Sequence, residues 1–167
     1  MQRQTMLGRR AAIKTVLAAT ASLYWPPRLR AAELPAATQA ALRDSERIYV
    51  ATRRRSGALS SIEPIWFYYT DGRIFFSTAP DTWKAKRIAE GSPLYIWVGS
   101  TSGPFVEGRA ESVTDAALID RMGAAYSQKY WLAWLGLFRP RSSRVADGKT
   151  KAFLVTLTQA APPPATP

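Results

Sequence analysis

Residues 75–87 read FFSTAPDTWKAKR: an apolar run ends in two hydroxyls, crosses a short turn and opens a helix with Lys84 in its first turn. The aromatic and β-branched residues before Ser77 predict a strand, and Asp81 or Thr82 predicts the cap of the helix that follows. The free N–H groups and positive dipole end of a helix start favour an anion. With Ser77 and Thr78 on one side and an ammonium on the other, the stretch has the donors of a phosphate seat. The same residues also describe a strand, a cap and a solvated basic helix, so the rest of the chain has to decide.

On the N-terminal side, ALSSIEPIWFYYT (58–70) reads as one long strand in which Pro64 marks an edge or a bulge. Asp71-Gly72 is a hairpin turn into RIFFST (73–78). Before them RIYVATRRR (47–55) reads as a strand ending at Ser56-Gly57, with a leading helix over 35–46. On the C-terminal side, the helix from Thr82 to about Glu90 closes at Gly91-Ser92-Pro93. LYIWVGS (94–100) and PFVEGRAESV (104–113) are two further strands. TDAALIDRMGAAYSQKY (114–130) is an amphipathic helix with Thr114 as the expected cap. WLAWLGLF (131–138) is an aromatic patch that suits a core, a lid or a subunit contact, and KAFLVTLTQ (151–159) is the last strand. Six strands with interposed helices predict a mainly β domain, a small antiparallel barrel with helical additions.

The 167 residues contain 23 basic and 12 acidic side chains, a net charge of +11 that resembles a nucleic-acid signal until it is partitioned. Six of the cations (Arg3, Arg9, Arg10, Lys14, Arg28, Arg30) fall in residues 1–32, which hold no acid, leaving 17 basic against 12 acidic residues. That surplus suits an anionic small ligand, and no nucleic-acid module accompanies it. Cysteine and histidine are both absent. Disulfides, thiolate or imidazole metal sites, and Ser-His-Asp or Cys-His catalysis are thereby excluded.

The N-terminus places Arg9-Arg10, then Ile13 and Lys14, before a short and mildly apolar stretch. The pair resembles a twin-arginine export signal, with Gly8 and Ala12 as departures from the usual pattern. The apolar stretch is too short to span a bilayer. The expected organisation is therefore a signal segment over 1–32, a leading helix or linker over 33–43, the barrel over 44–158 and a disordered Pro-rich tail over 159–167. It implies export machinery as a partner, a periplasmic or otherwise exported protein, and no stable membrane span after processing.

The serial order of parts resembles one family. A strand, a Ser-Gly turn, a strand containing PIWFYY, an Asp-Gly turn, IFFST, a lysine six residues after Thr78, then Gly-Ser-Pro and YIWV is similar to the pyridoxamine 5'-phosphate oxidase-like split-barrel flavoproteins. VEGRAESVTD fits the next strand and its entry into a helix, so the likeness runs over about 44–158. It implies a six-stranded antiparallel split barrel that binds FMN, or in one branch a deazaflavin coenzyme, at a homodimer interface. It further implies that Lys84, Thr78, Ser77 and Arg47 contact the cofactor phosphate, with Arg53 as the alternative cation. Val50, Ala51 and Thr52, with Pro64, Ile65 and Trp66, would run alongside the flavin ring. Trp83 stands where the oxidases carry an arginine, which removes one expected cation.

The expected function is a flavin-dependent two-electron oxidoreductase acting on an unidentified small substrate, with no catalytic side chain of its own. The oxidases' C-terminal substrate segment has no counterpart here. A deazaflavin reductase on the same fold and a non-catalytic flavin or haem binder remain as alternatives.

Overall fold

Asp71 and Gly72 both take left-handed backbone angles, φ 49° and 71°, which matches the twist of two flanking strands and folds them back as a two-residue hairpin. Strand β3 (Tyr68–Thr70) and strand β4 (Arg73–Thr78) pair across it, Thr70 opposite Arg73. A computed structural model describes residues 34–158; the expected twin-arginine segment and the Pro-rich tail lie outside the described residues.

The remaining strands are β1 (Arg47–Thr52), β2 (Glu63–Trp66), β5 (Leu94–Val98), β6 (Phe105–Val113) and β7 (Lys151–Thr158). All pairings are antiparallel, in the order β2-β1-β5-β6-β7-β4-β3. The two ends of this sheet, β2 and β3, are consecutive in the chain and separated by Phe67 alone. One residue therefore joins the edges, and the sheet is a nearly closed barrel.

The expectation of one strand over 58–70 is corrected here. Residues 58–62 make only the isolated bridge of Leu59 to Arg53, and the rest breaks at Phe67. The first half pairs with β1 and the second with β4, and a single straight strand cannot follow two partners that diverge round a barrel. Six expected strands thus become seven.

The helices are α1 (Ala36–Asp44), α2 (Trp83–Ala89), α3 (Ala116–Lys129), α4 (Trp131–Trp134) and α5 (Ser142–Ala146). Thr82 caps α2, its side chain accepting from the Ala85 N–H at 3.2 Å. The cap of α3 is Asp115 and not Thr114: the carboxylate accepts from the Leu118 N–H at 2.8 Å. Its charge suits the positive helix end better than a neutral hydroxyl.

Alternation along the strands sends one face inward. Ile48, Val50, Ile74, Phe76, Ile96 and Val155 are fully buried in the barrel interior with Phe67. The opposite face of β4 presents Phe75 to Met122, Tyr126 and Tyr130, so α3 packs on the outside of the barrel beside the Phe67 break. A separate cluster joins Ala51 to Tyr95 and Trp97. Among the described residues no helix is long and apolar enough to cross a membrane.

Candidate functional site

The strand registers leave an opening. β3 covers β4 only from Arg73 to Phe75, so Phe76, Ser77 and Thr78 pair with β7 alone. β2 pairs with β1 alone, Trp66 opposite Arg47 and Pro64 opposite Tyr49. The free edge of β2 and the free end of β4 therefore lie across a split. Pro64 is tolerated there because an edge strand has no ladder bond to lose at that side. A cavity of about 330 Å³ fills the split, lined by Arg47, Pro64, Ile65, Trp66, Ser77, Tyr126 and Phe138.

Two tyrosines four residues apart, Tyr126 on α3 and Tyr130 at its C-cap, seal the break in the barrel wall. The fully buried Tyr126 hydroxyl donates to the Trp66 carbonyl at 2.7 Å, and the Ser77 backbone hydrogen-bonds it from the other side of the split. The Tyr130 hydroxyl accepts from the Phe67 N–H at 3.0 Å and has the Glu46 and Phe67 carbonyls at 2.6 and 2.9 Å. A buried N–H at a strand break needs such a partner. Burial pushes the Tyr126 phenol well above its ordinary value, and burial first among several causes pushes Tyr130 up to about 12, so both keep their protons. The Trp66 ring stacks on Tyr130 at 4.4 Å and 4°, and Phe138 meets Trp66 edge-on at 5.8 Å.

Lys129, between the two tyrosines, lies over the Phe67 ring with Nζ 3.8 Å from its centroid. Burial lowers its pKa from 10.5 to about 8, against the opposing pull of Glu46. The folded state therefore releases this proton before the unfolded chain does. Between about pH 8 and 10.5 the unfolded chain binds more protons, so stability rises with pH across that window and the penalty is fully present below it. Denaturant melts from pH 7 to 11 are expected to show this rise in the wild type and to lose it in Lys129→Met.

The split brings together Arg47, Pro64, Ile65, Trp66 and Ser77. The other residues singled out in the sequence lie elsewhere. Val50 is in the barrel interior, Ala51 in the Tyr95–Trp97 cluster, and Thr52 is buried with hydrogen bonds to Ser60 and the Arg87 guanidinium. Thr78 stands at the start of α2, its hydroxyl 3.5 Å from that of Thr82. Lys84 is half-buried and lines neither this cavity nor its neighbour. Burial lowers its pKa, and the carboxylate of Glu63, at the start of β2, opposes the shift. Tyr126 and Phe138 were not assigned to the site from the sequence, where Tyr126 reads as one more apolar position of an amphipathic helix and Phe138 as the end of the 131–138 aromatic patch. A second cavity, of about 470 Å³, shares Ser77 and Phe138 with the first and adds Thr78 and four cations.

A family model described as pyridoxamine 5'-phosphate oxidase matches residues 34–161. No curated protein matches the chain. Solved structures share the fold at low identity. An F420 reductase is 18% identical over 77% of this chain and 98% of its own, with a TM-score of 0.54. A FAD-binding protein from Mesorhizobium loti is 18% identical over 75% and 91%, TM-score 0.55. The haem storage protein HutZ from Vibrio cholerae is 12% identical over 74% and 89%, TM-score 0.56.

Proposed function

The chain belongs to the pyridoxamine 5'-phosphate oxidase family, and from that premise we propose that its split holds a flavin, FMN, for two-electron transfer with a small substrate. The observation that carries this reading is the groove itself, an aromatic wall beside strand-end hydroxyls and a cation. A planar ring needs a flat apolar wall, which Trp66 supplies because its stack on Tyr130 holds it rigid. A volume of about 330 Å³ falls within the range of small-molecule pockets, roughly 300–1,000 Å³. Ser77 and Thr78 supply hydroxyl donors and Arg47 a cation for a phosphate, and Lys84, in the first turn of α2 and outside the lining of both cavities, is the second cation that the family resemblance assigns to it. Val50, Ala51 and Thr52 enter only through the β1 backbone that carries Arg47 and aligns β2, since their side chains are packed elsewhere. When bound, the flavin supplies the redox chemistry, which explains how a chain without histidine or cysteine carries out such a reaction.

Fluorescence titration of the full chain with FMN tests the reading. Lys84→Ala is expected to weaken FMN binding by about 1.5–3 kcal/mol, the scale of a hydrogen bond to a charged group. Unchanged affinity removes Lys84 from the phosphate seat, and a wild type that ignores FMN but binds a deazaflavin coenzyme changes the cofactor. A wild type that binds neither ends the flavin reading.

The proposal includes a homodimer that completes the groove and an exported location. For export, Arg9→Lys with Arg10→Lys is expected to retain the protein in the cytoplasm, because the twin-arginine signal is read as a guanidinium pair. Continued appearance in the periplasm returns the segment to an ordinary signal.

A further inference from the structure

The larger cavity beside the groove is a cationic chamber. Arg139, Arg141, Arg144 and Lys149 line it on one side, and the hydroxyl-bearing strand end of Ser77 and Thr78 on the other. None of its lining residues is a carboxylate. Among the described residues there are two ion pairs, and of these four cations only Lys149 takes part, with Asp147 at 3.1 Å. Both partners of that pair are largely exposed, so it neutralises little.

The cations are fixed at the chamber by the way their segment lies on α3. The Ser142 N–H and hydroxyl both donate to the Asp120 carboxylate, at 3.1 and 3.0 Å. Gly123 of α3 permits the close approach, since a Cβ there would stand 2.5 Å from the Pro140 carbonyl oxygen. Arg144 is further oriented by its Nε contact to the Thr150 hydroxyl at 3.4 Å. Three guanidiniums within six residues of chain are thus held round one space where they repel one another. Solvent screens that repulsion at exposed side chains, but it leaves the chamber with a standing preference for an anion. Arginine presents paired N–H donors in a planar fork that matches phosphate oxygens two at a time, and neutral hydroxyls opposite complete the shell.

We propose that this chamber binds a phosphate group, held by Arg139, Arg141, Arg144 and Lys149 against the hydroxyls of Ser77 and Thr78. The phosphate belongs to the flavin's own arm or to a phosphate-bearing substrate lying against the ring. The flavin reading bears only on that choice of source, because the chamber's chemistry stands without it.

Calorimetric titration of the full chain with inorganic pyrophosphate is the direct test, with Arg141→Gln/Arg144→Gln as the variant. Both side chains are exposed, so the variant's thermal melt is expected to match the wild type. Pyrophosphate binding at least tenfold weaker in the variant supports the site. Asp120→Asn, which loosens the segment and leaves every cation in place, is expected to weaken it severalfold. Equal affinity in wild type and double variant, or no binding to the wild type, overturns the proposal. Parallel titrations with FMN and riboflavin then locate the source. A variant that loses FMN but keeps riboflavin assigns the phosphate to the cofactor. A variant that keeps FMN but loses pyrophosphate on the FMN-loaded protein assigns it to a second ligand. A wild type that binds pyrophosphate and no flavin keeps this site and removes the flavin reading.

Discussion

Tyr130→Ala is expected to lower the unfolding free energy by about 3–5 kcal/mol, and Tyr130→Phe by about 1–3 kcal/mol. The larger figure follows from removing a buried aromatic ring at a site that cannot collapse: Tyr130 stacks on Trp66, meets Tyr126 at 5.3 Å and is shielded to 6% exposure. The smaller figure isolates the hydroxyl. Phenylalanine keeps the ring and its stack but strands the buried Phe67 N–H, which the Tyr130 oxygen satisfies at 3.0 Å. Phe67 cannot turn that N–H to water, because its own side chain is fully buried at the barrel break. Urea unfolding followed by tryptophan fluorescence reads both variants. The two values should differ by roughly the worth of the ring, and a Tyr130→Phe protein as stable as the wild type shows that the break does not depend on this hydroxyl. FMN affinity measured on the same variants adds a second readout, since a Trp66 ring freed from its stack no longer presents a fixed wall.

What could be read in the sequence was what local chemistry decides. The Asp71-Gly72 hairpin was legible because left-handed angles select those residues wherever they fall. The cap of α2, expected at Asp81 or Thr82, and the strand through Thr78 were legible from their local composition. The break at Phe67 was not, since a run as rich in aromatic residues as IWFYY has no local reason to stop. The closure of the barrel imposes it, by asking β2 and β3 to follow different neighbours. Alternation along β1 puts Val50 and Thr52 on one face and Ala51 on the other, but it does not say which face meets a ligand and which meets the core. Pairing across the sheet settled that, aligning Arg47 with Trp66 and turning Val50 inward. The arginines at 139, 141 and 144 match no motif in the linear sequence. Their meeting depends on a glycine two turns back on α3 and on an aspartate 22 positions before Ser142, contacts with no signature in a linear pattern.

Trp131→Glu with Trp134→Glu is expected to convert the proposed homodimer into a monomer, with the dimer dissociation constant raised at least about a thousandfold. Five large apolar side chains on one short segment face solvent in the single chain: Trp131 (71%), Trp134 (74%), Leu135 (54%), Leu137 (50%) and Phe138 (76%). Isolated exposed apolar residues are ordinary, but a contiguous patch of this kind marks a surface that something covers. An isologous contact with a second copy is the commonest arrangement for such a patch. Burying the remaining surface of two tryptophans contributes roughly 5–9 kcal/mol per protomer at about 25 cal/mol per Å². Their loss together with two desolvated carboxylates accounts for the thousandfold. Phe138 belongs both to this patch and to the groove, where its edge meets the Trp66 ring. A partner that covers the patch therefore also closes the groove, and any ligand bound there tightens the dimer by mass action. Sedimentation equilibrium with and without FMN reads both effects: a wild-type dimer that tightens on FMN, and a double variant that stays monomeric and binds FMN weakly. A wild type that is monomeric in both conditions and still binds FMN tightly would show that one chain builds the whole site and that the patch serves another surface.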